Sequence, residues 1–270
     1  MIAPVCFTRL YGVVSRFSKV RRKVRYFSFL FLFPVIVALT GCNKPPILIG
    51  FSMNFSGPGG GMAVYVRDGA LLAVEEINRK GGISGRPLKL LVRNDKGTLA
   101  GILEADSALA DKGVVAIIGH RNAHDTFLAV PLINRRRVLL VGPACATSRL
   151  TGKDDFFVRT TYYNDTLSER IFGFFKKSGT KRVLCVIDRA NDMFSLDLFE
   201  KLHSCSPDTF YPFYINSELD PEYPRGAGLV TLVAPQAFLF ITSPEVTSVM
   251  AQKIREAVGD VPFYATTWAQ

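Results

Sequence analysis

The chain has 270 residues, 48% of them apolar and 21% charged, which is ordinary for a protein that buries a sizeable core. Its formal charge of +10 would suit a polyanionic partner, but seven of the 33 Lys/Arg fall in residues 1–41, where there is no Asp or Glu; beyond them 26 basic side chains face 23 acidic ones, a net of +3. The basic excess therefore belongs to a leader, and a nucleic-acid partner is not expected.

That leader runs from a basic stretch, RRKVR at 21–25, into an apolar one, YFSFLFLFPVIVALTG at 26–41, and then Cys42. Sixteen residues interrupted by Pro34 fall short of the ~20 that span a bilayer and suit the apolar region of a signal peptide. LTGC at 39–42 resembles a bacterial lipobox, which implies cleavage before Cys42 and lipidation of its thiol. An uncleaved membrane anchor is the alternative, and the long stretch before Arg21 leaves a downstream start codon open. NKPP at 43–46 reads as part of a short tether, residues 42–46. Past Cys42 only Cys145, Cys185 and Cys205 remain, enough for one disulfide at most, and Cys185 in its apolar run reads as a buried thiol.

From Ile47 onward strand-like and helix-like segments alternate. ILIGFSM at 47–53 is a continuous apolar run, as expected of a strand buried on both faces. Helical spacing over 63–79, stopped by Gly81-Gly82, leads to a strand in RPLKLLVRND, a helix over 98–111 and a strand in VVAIIG. A helix over roughly 124–135 and a strand in RVLLVG follow. DDFFVRTTYYND at 154–165 breaks the rhythm with an extended aromatic segment. Then come a helix near 166–177, strand RVLCVID, helix 193–203, strand TFYPFYI, helix 222–233, strand AFLFIT, helix 244–257 and strand VPFYATT. Such alternation implies parallel sheets with right-handed crossovers, in two α/β lobes that divide near residue 160 (47–160 and 161–270).

The segment EEINRKGGISGRPLKLLVRND at 75–95 resembles the type I periplasmic binding proteins, in the branch of leucine/isoleucine/valine- and amide-binding receptors. SGP at 56–58, VVAIIGH, VLLVGPACATSRLT, FFVRTT and VPFYATTWAQ fit that pattern in order. The resemblance implies a Venus-flytrap receptor whose lobes close on a small solute and deliver it to the membrane subunits of an ABC permease. It implies no cofactor, a monomer, and a location in the bacterial cell envelope, lipid-anchored outside the cytoplasm. Family members continue well beyond the point where this chain stops, re-entering the first lobe, so the resemblance also implies an incomplete second lobe, marginal stability and weak closure. A ligand-sensing or cell-wall-regulatory module of the same fold, or a truncated non-functional remnant, are the alternatives.

Carried over by position, the ligand loops of that family fall on Ser56 and Met62 in the first loop, Asn122 and Ala123 in GHRNAHDT, and Ala144, Cys145, Ala146 and Thr147 in GPACAT. In the second lobe they fall on Met193 in NDMFS and Trp268 near the end. Where amino-acid-binding relatives offer Ser and Thr hydroxyls, this chain has Ala123 and Ala146, with Thr147 one place late. No acid takes the place of the one that would hold an ammonium group. The expected pocket is apolar and adaptable, and binding of leucine-like amino acids is expected to be poor.

Catalysis finds little support. The glycines of GFSMNFSGPGGGM at 50–62 match neither a phosphate loop with G-K-[ST] nor G-x-G-x-x-G. His120 and His124 are spaced as in a zinc helix, but HRNAH lacks the Glu of HExxH, and no metal is expected. Arg135–Arg137 read as a helix C-terminus favoured by the macrodipole, with a permease-docking role as the alternative.

Overall fold

The computed structural model describes residues 44–56, 60–219 and 232–269. The leader, the lipobox, Gly57–Gly59 and nearly all of the helix expected over 222–233 lie outside them. Residues 46–270 form one compact unit.

Among the described residues nine parallel strands build two sheets. The first is ordered β2-β1-β3-β4-β5, with β1 Ile47–Met53, β2 Leu88–Asn94, β3 Ala116–Ile118, β4 Leu139–Gly142 and β5 Phe157–Arg159. The second is ordered β7-β6-β8-β9, with β6 Val183–Asp188, β7 Phe210–Ile215, β8 Ala237–Ile241 and β9 Phe263–Ala265. Both put a chemically continuous apolar strand at the centre, as parallel sheets require. All six residues of β6 are buried. The extended segment at 154–165 is not a bare connector: Phe157–Arg159 pairs with Leu140–Gly142 and closes the first sheet. The last expected strand is shorter than its apolar run, because Thr267–Ala269 turns into a 3-10 helix.

Among the described residues six helices fill crossovers: α1 Gly60–Arg79, α2 Leu99–Asp111, α3 Ala123–Arg136, α4 Asn164–Ser178, α5 Asp192–Cys205 and α6 Pro244–Val258. Their ends follow local chemistry. The side chains of Thr98, Asn122 and Ser243 accept hydrogen bonds from backbone N–H groups at the starts of α2, α3 and α6. Pro244 opens α6, where no N–H is needed, and Gly179 ends α4 in the left-handed conformation.

Strand alternation divides the core. In the second sheet Val183, Cys185 and Ile187 of β6 point to the side of α4 and α5, where Phe175 meets Phe210 and Tyr264 edge-on. Leu184 and Val186 point the other way, onto Val246, Met250 and Ile254 of α6. In the first sheet Ile117, Leu140 and Phe157 face α2 and α3, while Phe51 and Met53 face α1. The opposite side of β3–β5 carries Ile118, Leu139, Val141 and Val158, one register row from the sealed residues. Ile118 packs beside Phe51 of β1 and Ala63 of α1, but toward β5 the cover runs out: Leu139 is 38% and Val158 47% exposed, against 0% for Leu140 and 8% for Phe157.

This asymmetry sets unequal costs on neighbouring residues. Leu140→Ala is expected to lower stability by about 2–5 kcal/mol, whereas Leu139→Ala costs under ~1 kcal/mol, both read from urea melts. Equal losses would mean that the second face is covered.

Candidate solute site between the two sheets

In a parallel sheet every strand ends at the same edge, so the loops that follow them gather there. Here the carboxyl-end loops of the first sheet are 54–56, 95–98, 119–122 and 143–147, and those of the second are 189–191, 216–217, 242–243 and 266 onward. The two sets meet where the N-termini of α3 and α5 come together. His124 Nδ1 lies 3.1 Å from Asp192 Oδ1, and the His124 N–H donates to Asn191 Oδ1 at 3.3 Å.

A second seam lies alongside. Asp197 of α5 is buried, and its carboxylate accepts from the Ser148 N–H at 2.8 Å, Ser148 Oγ at 2.6 Å, Asn164 Nδ2 at 2.8 Å and, more weakly, Thr147 Oγ1 at 3.5 Å. Asn164, at the start of α4, also donates Nδ2 to the Phe194 carbonyl and its own N–H to the Ala146 carbonyl. Arg159 holds the Thr147 carbonyl at 2.8 Å. A buried carboxylate is tolerable only when its lone pairs are filled, and this one fills them from both the first sheet's loop and the crossover.

The positions singled out in the sequence divide into two groups. Ala123 and Cys145 belong to one apolar cluster that also contains Phe194, and Ala146, Met193 and Trp268 pack against it. Trp268 meets the Phe194 ring edge-on at 5.6 Å. Ala123, Cys145 and Thr147 have no exposed surface, and Thr147 Oγ1 is committed to Asp197 and the Arg149 N–H. Ser56, Met62 and Ala144 stay outside this cluster and are exposed. Ser56 Oγ accepts from Asn94 Nδ2, and Asn122 spends its side chain capping α3. The residues missed by the sequence reading are Asp197, Asn164 and the His124–Asp192 pair. Asp197 had a usable signal: a lone acid among Phe194, Leu196, Leu198 and Phe199 is either buried and paired or misplaced.

The two histidines of HRNAH take different partners. His120, at the end of β3, is enclosed between Asp95 (Nδ1 to Oδ2, 2.7 Å) and Asp106 (Nε2 to Oδ2, 3.1 Å), all three side chains fully buried. Gly101 lets α2 approach closely enough to bring Asp106 in, since a Cβ there would sit 2.2 Å from the Asp95 carbonyl. Burial would lower the His120 pKa, but the hydrogen bonds and charges of Asp106 and Asp95 outweigh it and raise it to about 10. Nearby Asp125 is pushed up, chiefly by burial. All three cysteines past the leader are free thiols, and burial holds those of Cys145 and Cys185 above their usual pKa. Among the described residues no group of three or more His, Cys, Asp or Glu side chains is arranged to hold a metal ion.

Because His120 titrates higher when folded than the ordinary 6.5, its stabilising contribution is complete below about pH 6.5 and is lost as pH rises toward about 10. Urea melts at pH 6 and pH 9.5 should show a clear fall in stability, absent in His120→Asn. That variant is expected to be weaker at pH 6 by about 3–5 kcal/mol, since it leaves two carboxylates without their cation. A wild-type protein equally stable at both pH values would contradict the ion triad.

The family profile described as periplasmic binding protein matches residues 46–201, more than half of the chain. Leu/Ile/Val-binding protein homolog 1 of Brucella abortus is 27% identical over 117 residues, 43% of this chain and 31% of that protein. The leucine-, isoleucine-, valine-, threonine-, and alanine-binding protein of Pseudomonas aeruginosa is 24% identical over 48% of this chain and 35% of its own length. The branched-chain amino acid transporter substrate binding protein LivJ of Streptococcus pneumoniae, solved with isoleucine, superposes with a TM-score of 0.73 at 21% identity, over 82% of this chain and 64% of its own. The matched stretches thus span about a third of the curated relatives and under two thirds of the solved structure. Two parallel α/β sheets meeting at their carboxyl edges, together with this match across residues 46–201, make the chain a member of the periplasmic binding protein family.

Proposed function

We propose that the chain is the lipid-anchored, extracytoplasmic solute-binding component of an ABC-type uptake system and performs no catalysis. In this reading residues 1–41 are a lipoprotein signal peptide, Cys42 carries the lipid, 42–46 is a tether, and the lobes divide at residue 160. The carrying observation is the meeting of both sets of carboxyl-end loops around one apolar cluster. That is where open α/β sheets take ligands, and closure of two lobes there favours whatever solute contacts both. Family membership and the named activities of the relatives support a small solute as cargo, and the leader supports export and anchoring.

The residues at the seam favour an uncharged or partly apolar solute over a free α-amino acid. Ala123 and Ala146 supply no hydroxyl, and the Thr147 hydroxyl is held by Asp197. Met193 and Trp268 supply apolar and aromatic surface instead.

Isothermal titration of the protein with leucine, isoleucine and valine is expected to give dissociation constants weaker than about 1 μM. Emission of Trp268, the single tryptophan, should respond to a tighter apolar solute in a screened panel. Sub-micromolar binding of any of the three amino acids would overturn the solute class. For the anchor, Cys42→Ser is expected to release the protein from the membrane fraction of the expressing bacterium, and unchanged partition would contradict lipidation.

A further inference from the structure

The loop after β4 has almost nothing left to give a solute except at its crown. The Ala146 carbonyl is taken by the Asn164 N–H, and the Thr147 carbonyl by Arg159. The Thr147 hydroxyl and both donors of Ser148 go to Asp197 or to the adjoining backbone. On the other side the loop leaves β4 at Gly142, whose carbonyl accepts from the Thr160 N–H. Three residues, 143–145, between two fixed ends have little slack. What holds the far end is a buried carboxylate on a helix of the other sheet, and moving it would leave charge unpaired in an apolar setting.

We propose that Asp197 is a positioning residue for the solute loop, pinning residues 146–148 to α5 so that exposed Ala144 and its neighbours are held in a single conformation at the edge of the apolar cluster. The role rests on the reading of that cluster as the solute site, but the pinning itself needs no solute to be observed. Asp197 touches nothing that binds; it acts through Ser148, Thr147 and Asn164. Neutralising it without changing its shape removes the anion that organises four donors from three residues and places an amide N–H₂ where only acceptors are wanted.

The test is hydrogen–deuterium exchange on the full chain, comparing wild type with Asp197→Asn, Ser148→Ala and the double variant. The structure predicts exchange of the Ser148 and Arg149 amides at least about tenfold faster in Asp197→Asn, with amides of β6 and β8 changed less than about twofold. Ser148→Ala, a milder change at a half-buried loop position, should give a smaller rise at the same amides. The double variant should then fall short of the product of the two effects, because both act on one contact. A merely structural role for Asp197 in α5 would instead raise exchange through Phe199–Leu202 as much as at the loop, with additive effects, and would overturn the proposal. Unchanged exchange at residues 148 and 149 would overturn it as well. Solute titrations judge the binding reading separately: if no solute is ever found, the pinning result stands on its own.

Discussion

A buried carboxylate fixes geometry because its neighbours must come to it. Asp197 sits in α5, among side chains that pack on the second sheet, yet most of its hydrogen bonds come from outside that helix. Its donors are the end of the β4 loop and the first residue of α4, which is where the chain crosses from one sheet to the other. The position of the crossover, the end of the solute loop and the start of the second sheet's helices therefore depend on one charge being satisfied. The apolar cluster formed by Ala123, Cys145 and Phe194, with Met193 and Trp268 against it, is assembled beside that contact.

The first sheet holds its own charge differently. His120 is caught between two aspartates at the end of β3, so the loop that leads into Asn122 and Ala123 starts from a rigid base. Both devices stiffen the carboxyl edge of the first sheet, one from beneath and one from the opposing helix. Receptors that close on a solute need loops whose geometry is set before the solute arrives, since ordering them afterwards costs affinity. The exposed side of β4 and β5 shows the opposite economy. There Leu139 and Val158 keep the apolar character of an interior strand without a described helix to cover them.

Much of the architecture was legible because it rests on local chemistry. Continuous apolar runs marked β1, β6 and β8, and the Asn122, Thr98 and Ser243 caps sit where helical spacing begins. The β5 strand was not legible as such: three residues carry too short a pattern, and its pairing with β4 is decided by the crossover. Thr267 was expected to close the last strand and instead opens a 3-10 turn with Trp268, because the apolar run through Thr267 outlasts the register with β8. In the site, the small residues Ala123 and Ala146 could be placed by their loops. Asp197 and Asn164 could not, since their importance comes from partners 18 to 50 residues away. Spacing within a helix says nothing about such partners. A lone acid in an apolar stretch was the one hint.

The chain's own polar seam around the site, centred on Asp197, ties the two sheets together. Spin labels attached at exposed Lys112 in the first lobe and Glu256 in the second, each changed to cysteine after Cys205 is replaced, would report the separation of the lobes in the absence of solute. Buried Cys145 and Cys185, with their raised thiol pKa values, would label poorly, and labelling after removal of the leader cysteines keeps the pair clean. Electron–electron double resonance should give a distance distribution that widens when Asp197→Asn removes the anion of the seam. Identical distributions in the two proteins would mean that the seam does not hold the lobes.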